Sequence, residues 1–234
     1  MIKQHAQKGA TLIIILMILL MITVVGTYAV KQGLISLNIS TNSQAQQLLI
    51  QNSDAALFAL EDPNQIKRQL YTDGMFGYFY SADHASDELA FCYKGSASFY
   101  SLANASAIGA DGSTGKIGTA GYCTTTAFST ARSAVLSQVY IRKNQTTTSA
   151  TAVPFASVSQ GTSLGGGSDQ FSSLNISVTV ISVLPSIVNA SSTDIQNCFK
   201  QSSSNVASCF KGLGVPYNIQ RADYTVGTSI TSVA

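Results

Sequence analysis

Hydrophobic and polar positions are distributed very unevenly along this chain. From Ala10 to Val30 (ATLIIILMILLMITVVGTYAV) no side chain is charged. As a helix at ~1.5 Å per residue, this run is about 30 Å long, the thickness of a bilayer's hydrocarbon core. It is apolar on every side, so it needs lipid or other apolar helices around it. Past Val30 the pattern changes. Lys31 is the only charge before Asp54, and the first proline is Pro63. Leu34, Leu37, Thr41, Ala45, Leu48, Ala55 and Ala59 trace a helical stripe through this second stretch. Gly33 and the Ser40-Thr41-Asn42-Ser43 cluster are weak helix formers, so the stripe must be supported by packing. Glu61-Asp62-Pro63 ends the element, because proline pushes the residue before it away from helical angles. The pattern therefore predicts one helix over residues 10–62, about 75 Å long from Ala10 to Leu60. Residues 10–30 form its membrane-embedded half and residues 31–62 its amphipathic half.

Beyond Pro63, in residues 63–234, the apolar period falls toward two. Leu89–Tyr93 and Ala97–Leu102, flanking Lys94-Gly95-Ser96, read as a hairpin. Ser133–Lys143 and Leu174–Leu184 are the clearest strands; in the second, Leu174, Ile176, Val178 and Val180 share one face and Asn175, Ser177 and Thr179 the other. Tyr217–Val226 reads as a final strand and Thr193–Phe199 as a short helix. The 103–121 and 145–169 stretches are Gly-, Ser-, Thr- and Ala-rich loops, and Leu164-Gly165-Gly166-Gly167-Ser168 has linker composition. The expected class is α+β: an antiparallel sheet packed on the amphipathic half of the long helix.

Composition narrows the compartment. Charged residues make up 10% of the chain and the formal net charge is +2, so no strong field draws nucleic acid or acidic substrates. The four cysteines, Cys92, Cys123, Cys198 and Cys209, all follow the apolar run, and none belongs to a C-x-x-C pair. With His84 the only histidine after the leader, a zinc site is not expected. An even count in an exported, charge-poor domain reads as two disulfides, against an alternative of reduced, buried thiols. Three connectivities exist; the short loop favours Cys198–Cys209, which leaves Cys92–Cys123. Lys3 and Lys8, with His5 between them, precede the apolar run and set the N-terminus on the cytoplasmic side.

The basic stretch ends in Gln7-Lys8-Gly9, directly before Ala10-Thr11-Leu12-Ile13. A secretory signal has a shorter apolar core and is cut after it; a plain signal anchor is not cut. A third arrangement, cleavage between Gly9 and Ala10 with the helix retained, is that of a prepilin. Residues 1–62 resemble the N-terminal region of PilX-type minor pilins of Gram-negative type IV pili. The Gly9/Ala10 junction, the apolar run and the Gln/Asn/Ser-rich second half carry that resemblance. It implies a leader over residues 1–9, cut by prepilin peptidase, an N-methylated Ala10 and a pilin-like fold. One departure stands out: major pilins carry Glu as the fifth mature residue, where Ile14 stands here. K-type pseudopilins of type II secretion share that lack and sit at the fibre tip, which implies a tip or near-tip place for this chain; the alternative is a chain that is not assembled at all.

Other chemistry finds little footing. Gly109–Gly118 (GADGSTGKIG) is similar to a phosphate loop but has Ala110 where glycine is required and Ile117 in place of the magnesium-holding hydroxyl. Asp111 alone is too little for calcium. Asp83, His84 and Asp87 read as a solvated turn, and no G-x-S-x-G accompanies them. Tyr71, Phe76, Tyr78, Phe79 and Tyr80 read first as a cap on the core and second as a partner surface. Asn38, Asn104 and Asn175 begin Asn-x-Ser/Thr triplets, which mean little if the source is bacterial, as the resemblance implies. No catalytic, cofactor or metal residue is assigned.

The expectation, which rests on that resemblance, is a non-enzymatic minor pilin that is stored in the inner membrane with its head in the periplasm and then assembled into a surface fibre. The resemblance implies partners: other minor pilins and the major pilin through the N-terminal helix, and a PilY-type tip adhesin. It also implies roles in adhesion, twitching motility and DNA uptake; from the low net charge, no nucleic acid is expected to bind directly. A K-like pseudopilin and an unprocessed, signal-anchored binding module are the alternatives.

Overall fold

The stretch read as helical from the sequence is helix α1 (Ala10–Leu60, 51 residues). The computed structural model describes residues 10–62, 69, 74–79, 81–95, 101–114, 117–125, 135–144, 174–226 and 230–232. The leader with Gly9, together with Pro63, Tyr71, Tyr80, the 97–100 stretch and the 145–169 loop, lies outside these residues. Inside α1, hydroxyls that would otherwise face an apolar environment turn back on the helix. Thr23 donates to the Leu20 carbonyl at 2.8 Å and Thr27 to that of Val24 at 2.9 Å. The chain divides into two units, residues 1–45 and 46–234.

In the first unit the large apolar side chains from Leu12 to Val30 are all more than half exposed. This N-terminal helix is long and apolar enough to cross a membrane.

In the second unit α1 buries Leu49, Asn52, Ser53, Ala56 and Leu60, a run at three- and four-residue spacing. The predicted stripe is displaced by about one position: Leu48 is 40% exposed, Ala55 is exposed, and Ala45 and Ala59 are only half-buried. Small Ser53 and Ala56 stand at the centre of the contact, which lets the helix backbone lie close to the sheet. Leu48 is left on its flank. Leu34 and Leu37, farther up the predicted stripe, are exposed as well.

After α2 (Met75–Tyr78) come β1 (Glu88–Tyr93), β2 (Ser106–Ile108), β3 (Leu136–Lys143), β4 (Leu174–Val183), α3 (Ser192–Phe199), α4 (Ser203–Leu213), β5 (Tyr217–Val226) and β6 (Ile230–Ser232). The strands form one antiparallel sheet in the order β2-β1-β3-β4-β5-β6. Of the predicted hairpin's second strand, 97–100 lies outside the described residues, so only its end at Ser101 and Leu102 can be compared. Leu102 begins a 3-10 turn, and the outer partner of β1 is Ser106–Ile108, with Leu89 opposite Ala107. Helix α3 caps its N-terminus with Ser191, whose hydroxyl accepts the Asp194 N–H at 3.1 Å. Helix α4 ends at Gly214, left-handed at φ 68°, a conformation that costs glycine little.

Alternation along the strands yields two buried faces rather than one. Leu89, Phe91, Val139, Ile141, Ile176, Val178, Val180 and Tyr224 pack with Ala56, Leu60, Met75, Phe76 and Phe79. On the opposite face Ala90, Leu136, Tyr140, Ile181 and Val183 pack with Ile195, Phe199, Val206 and Phe210 from α3 and α4. The sheet is thus sandwiched in part between helices, and the fold is α+β as expected.

Candidate functional site

The exposed apolar half of α1 is the most distinctive chemical feature of the chain. Ala10, the residue after the predicted cut, begins the helix, and Ile14 lies on it as an exposed apolar side chain. Between Ala10 and Ser53 the only charge is Lys31. Tyr28, Lys31, Gln32, Ile35, Ser36 and Ile39, at three- and four-residue spacing, lie along one side of α1. Such a surface can dissolve in lipid or pack against another apolar helix.

The second feature is a clamp that holds α3 and α4 on the sheet. The cysteines pair as Cys92–Cys123 and Cys198–Cys209, the pairing favoured from loop length. The first bond ties β1 to the segment after β2; the second joins α3 to α4. Gln138 of β3 bridges the two regions: its Oε1 accepts the Cys123 N–H at 2.9 Å, and its Nε2 donates to the Phe199 carbonyl at 2.7 Å. The Tyr140 hydroxyl donates to that same carbonyl at 2.9 Å. At the start of α4, Ser203 gives its N–H and its hydroxyl to the Glu88 carboxylate, where the helix dipole also favours a negative charge. Burial first, and then the Glu88 charge, raises the Tyr140 hydroxyl well above its ordinary value. The same two causes push Tyr122 up to about 12. Nothing local in the sequence marks Glu88 and Ser203 as partners, since they are 115 residues apart.

Beneath α1 a chain of hydroxyls crosses the interface. Ser53 lies 2.8 Å from Ser182, which lies 2.7 Å from Ser137, and all three are fully buried. Lower down, Tyr224 of β5 donates to Glu61 at 3.0 Å. The hydroxyl of Tyr224 is raised by burial first and by that bond second.

Phe76 and Phe79 are core residues, in keeping with the cap reading of the aromatic cluster. The turn at Asp83, His84 and Asp87 needs correction. Asp87 is buried, accepting from Tyr78 at 2.8 Å and facing His84 Nδ1 at 3.1 Å, while the Tyr78 and His84 rings stack at 4.2 Å. Only Asp83 is exposed as expected. The cluster staples α2 to the start of β1. In the Gly109–Gly118 segment Asp111 accepts the Ser113 N–H and Gly112 takes a positive φ, forming a turn beyond edge strand β2. Among the described residues no group of three His, Cys, Asp or Glu side chains could hold a metal ion.

Together these elements define a class: a disulfide-bonded α+β head preceded by one helix able to cross a membrane. No family model, no curated protein and no solved structure matches the chain.

Proposed function

We propose that this chain is a minor pilin of a type IV pilus, stored in the inner membrane and placed at or near the fibre tip. One observation carries the reading: a single helix whose first half is apolar and exposed, and whose last turns pack small residues on an antiparallel sheet. A secretory signal would not share an uninterrupted helix with the core of the head. The bonded cysteines suit an oxidising compartment outside the cytoplasm. Prepilin peptidase cuts between Gly9 and Ala10, and the retained helix passes from lipid into a bundle of pilin helices. Other minor pilins, the major pilin and a PilY-type tip adhesin are its partners, and adhesion, twitching motility and DNA uptake are the processes it serves.

Deletion of the gene tests this reading. The expected result is a marked loss of surface fibres, with labelled protein found at the ends of the fibres in the complemented strain. Unchanged fibres, and label confined to membranes, would refute it. The absence of an acid at Ile14 favours a second reading, a K-like pseudopilin. In that case deletion blocks secretion of exported enzymes and leaves pili intact.

A further inference from the structure

The two disulfides differ in how deeply their sulfurs are sunk in the head. Cys92 is 4% exposed and Cys123 is fully buried, and both pack in the core that the sheet shares with α3 and α4. The backbone around them is closed. The Cys123 N–H donates to Gln138, and its Sγ lies 3.3 Å from the Ser137 carbonyl oxygen. Two residues upstream, Gly121 lies so close to β1 that an added Cβ would stand 2.0 Å from the Ala90 carbonyl oxygen. A thiolate from outside has no path to either sulfur of this pair.

The second bond is one-sided. Cys198 of α3 is 1% exposed, but Cys209 of α4 is only half-buried, beside exposed Ser208. The Nε2 of exposed Gln201 donates to the Cys209 Sγ at 3.5 Å, in a contact open to solvent. One sulfur of this pair is therefore within reach of solvent, and it is that of Cys209.

Opening this bond need not open the head, because each helix is fastened to the sheet without it. Helix α3 buries Ile195 and Phe199 and gives the Phe199 carbonyl to Gln138 and Tyr140. Helix α4 buries Val206 and Phe210 and is held at its start by Ser203 on Glu88. The Phe199 and Phe210 rings also meet edge to face, with centroids 5.0 Å apart.

We infer that Cys198–Cys209 is a thiol–disulfide exchange site on the folded head, taking as substrate a partner's accessible dithiol or its disulfide. In the reducing direction the partner's thiolate attacks the Cys209 Sγ, the Cys198–Cys209 bond breaks, and the Cys198 thiolate leaves and takes a proton from water. The partner's second thiolate then attacks its own sulfur in the mixed disulfide. Cys209 leaves as a thiolate beside the Gln201 amide and is protonated in turn. Two electrons have passed: the partner ends as a disulfide, and Cys198 and Cys209 end as thiols. Closure runs the same steps in reverse, with Cys209 as the first thiolate to attack. Cys92–Cys123 stays out of reach of the same partner until the core opens. None of this depends on what α1 does.

The test gives the full chain in detergent dithiothreitol at mildly alkaline pH, without urea. Samples are quenched with N-ethylmaleimide at intervals, and labelled peptides are mapped by mass. Cys198 and Cys209 are expected to take the label faster than Cys92 and Cys123 by about tenfold or more, with tyrosine circular dichroism kept over that interval. Equal rates for the two pairs, or no label on either before urea is added, would overturn the inference. Loss of the circular dichroism in step with the labelling would overturn it too, since the bond would then open only as the head unfolds. A second measurement checks which sulfur is attacked. The free Cys209 of Cys198→Ser should react with dithiodipyridine about tenfold or more faster than the free Cys198 of Cys209→Ser. Equal reactivity in these two folded variants would overturn the assignment of Cys209; the wild-type time course needs neither variant.

Discussion

Gln138 and Tyr140 both donate to the Phe199 carbonyl, at 2.7 and 2.9 Å, and this shared acceptor makes a sharp energetic prediction. Tyr140→Phe removes one donor but leaves the carbonyl satisfied by Gln138, so it should cost about 1 kcal/mol. Gln138→Leu leaves the carbonyl with Tyr140 but strands the buried Cys123 N–H, which Gln138 alone is shown accepting. An unsatisfied buried donor costs ~1–3 kcal/mol, so about 2 kcal/mol is expected. The double variant also strands the Phe199 carbonyl, and the loss should exceed the sum of the singles by about 1 kcal/mol. The assay is urea unfolding of the full chain in detergent, disulfides intact, followed by circular dichroism because the chain has 0 tryptophans. Singles that add to within about 0.4 kcal/mol would refute the shared-carbonyl account.

Other outcomes follow from the same geometry. Replacing Cys92 and Cys123 by serine opens a loop with a sequence separation of 31, against 11 for Cys198 and Cys209. Chain entropy sets the losses at about 4 and 3 kcal/mol, so the first pair should lower the urea midpoint more. Gly121→Ala would put a Cβ 2.0 Å from the Ala90 carbonyl oxygen and 2.3 Å from the Ser106 nitrogen. Backbone must move to admit it, and about 3 kcal/mol or more should be lost in the same titration. Tyr122 titrates at about 12 in the fold, above its ordinary value of 10.0. The unfolded chain gives up that proton first, so stability holds below about pH 10 and falls between about 10 and 12. Tyr78, Tyr140 and Tyr224 are shifted the same way. Urea midpoints at stepped alkaline pH should show the fall, less steep in Tyr122→Phe.

The long helix was legible because an uncharged run and the absence of proline act locally, residue by residue. Strands β3, β4 and β5 were legible for the same reason: alternation such as Ile176, Val178, Val180 needs only its own segment. The contact face of α1 was not, because Ser53 and Ala56 do not look like core residues until a sheet lies against them. Helix α4 was hidden in SSNVASCFKGL, where Val206 and Phe210 are the only large apolar residues it buries. Its signals were Ser202 before it and Gly214 after it. Asp87 looked solvated because its partner Tyr78 precedes it in another element. The clamp was least legible of all, since Glu88, Gln138, Phe199 and Ser203 come from four separate elements and meet only in the fold.

The mass of the finished protein, taken from membranes of a strain with active prepilin peptidase, tests the central claim most directly. The account predicts a chain that has lost Met1–Gly9, keeps the whole of α1, and carries one methyl group on the Ala10 nitrogen. A soluble chain starting downstream of Val30, or a membrane-bound one with its leader intact, would contradict it.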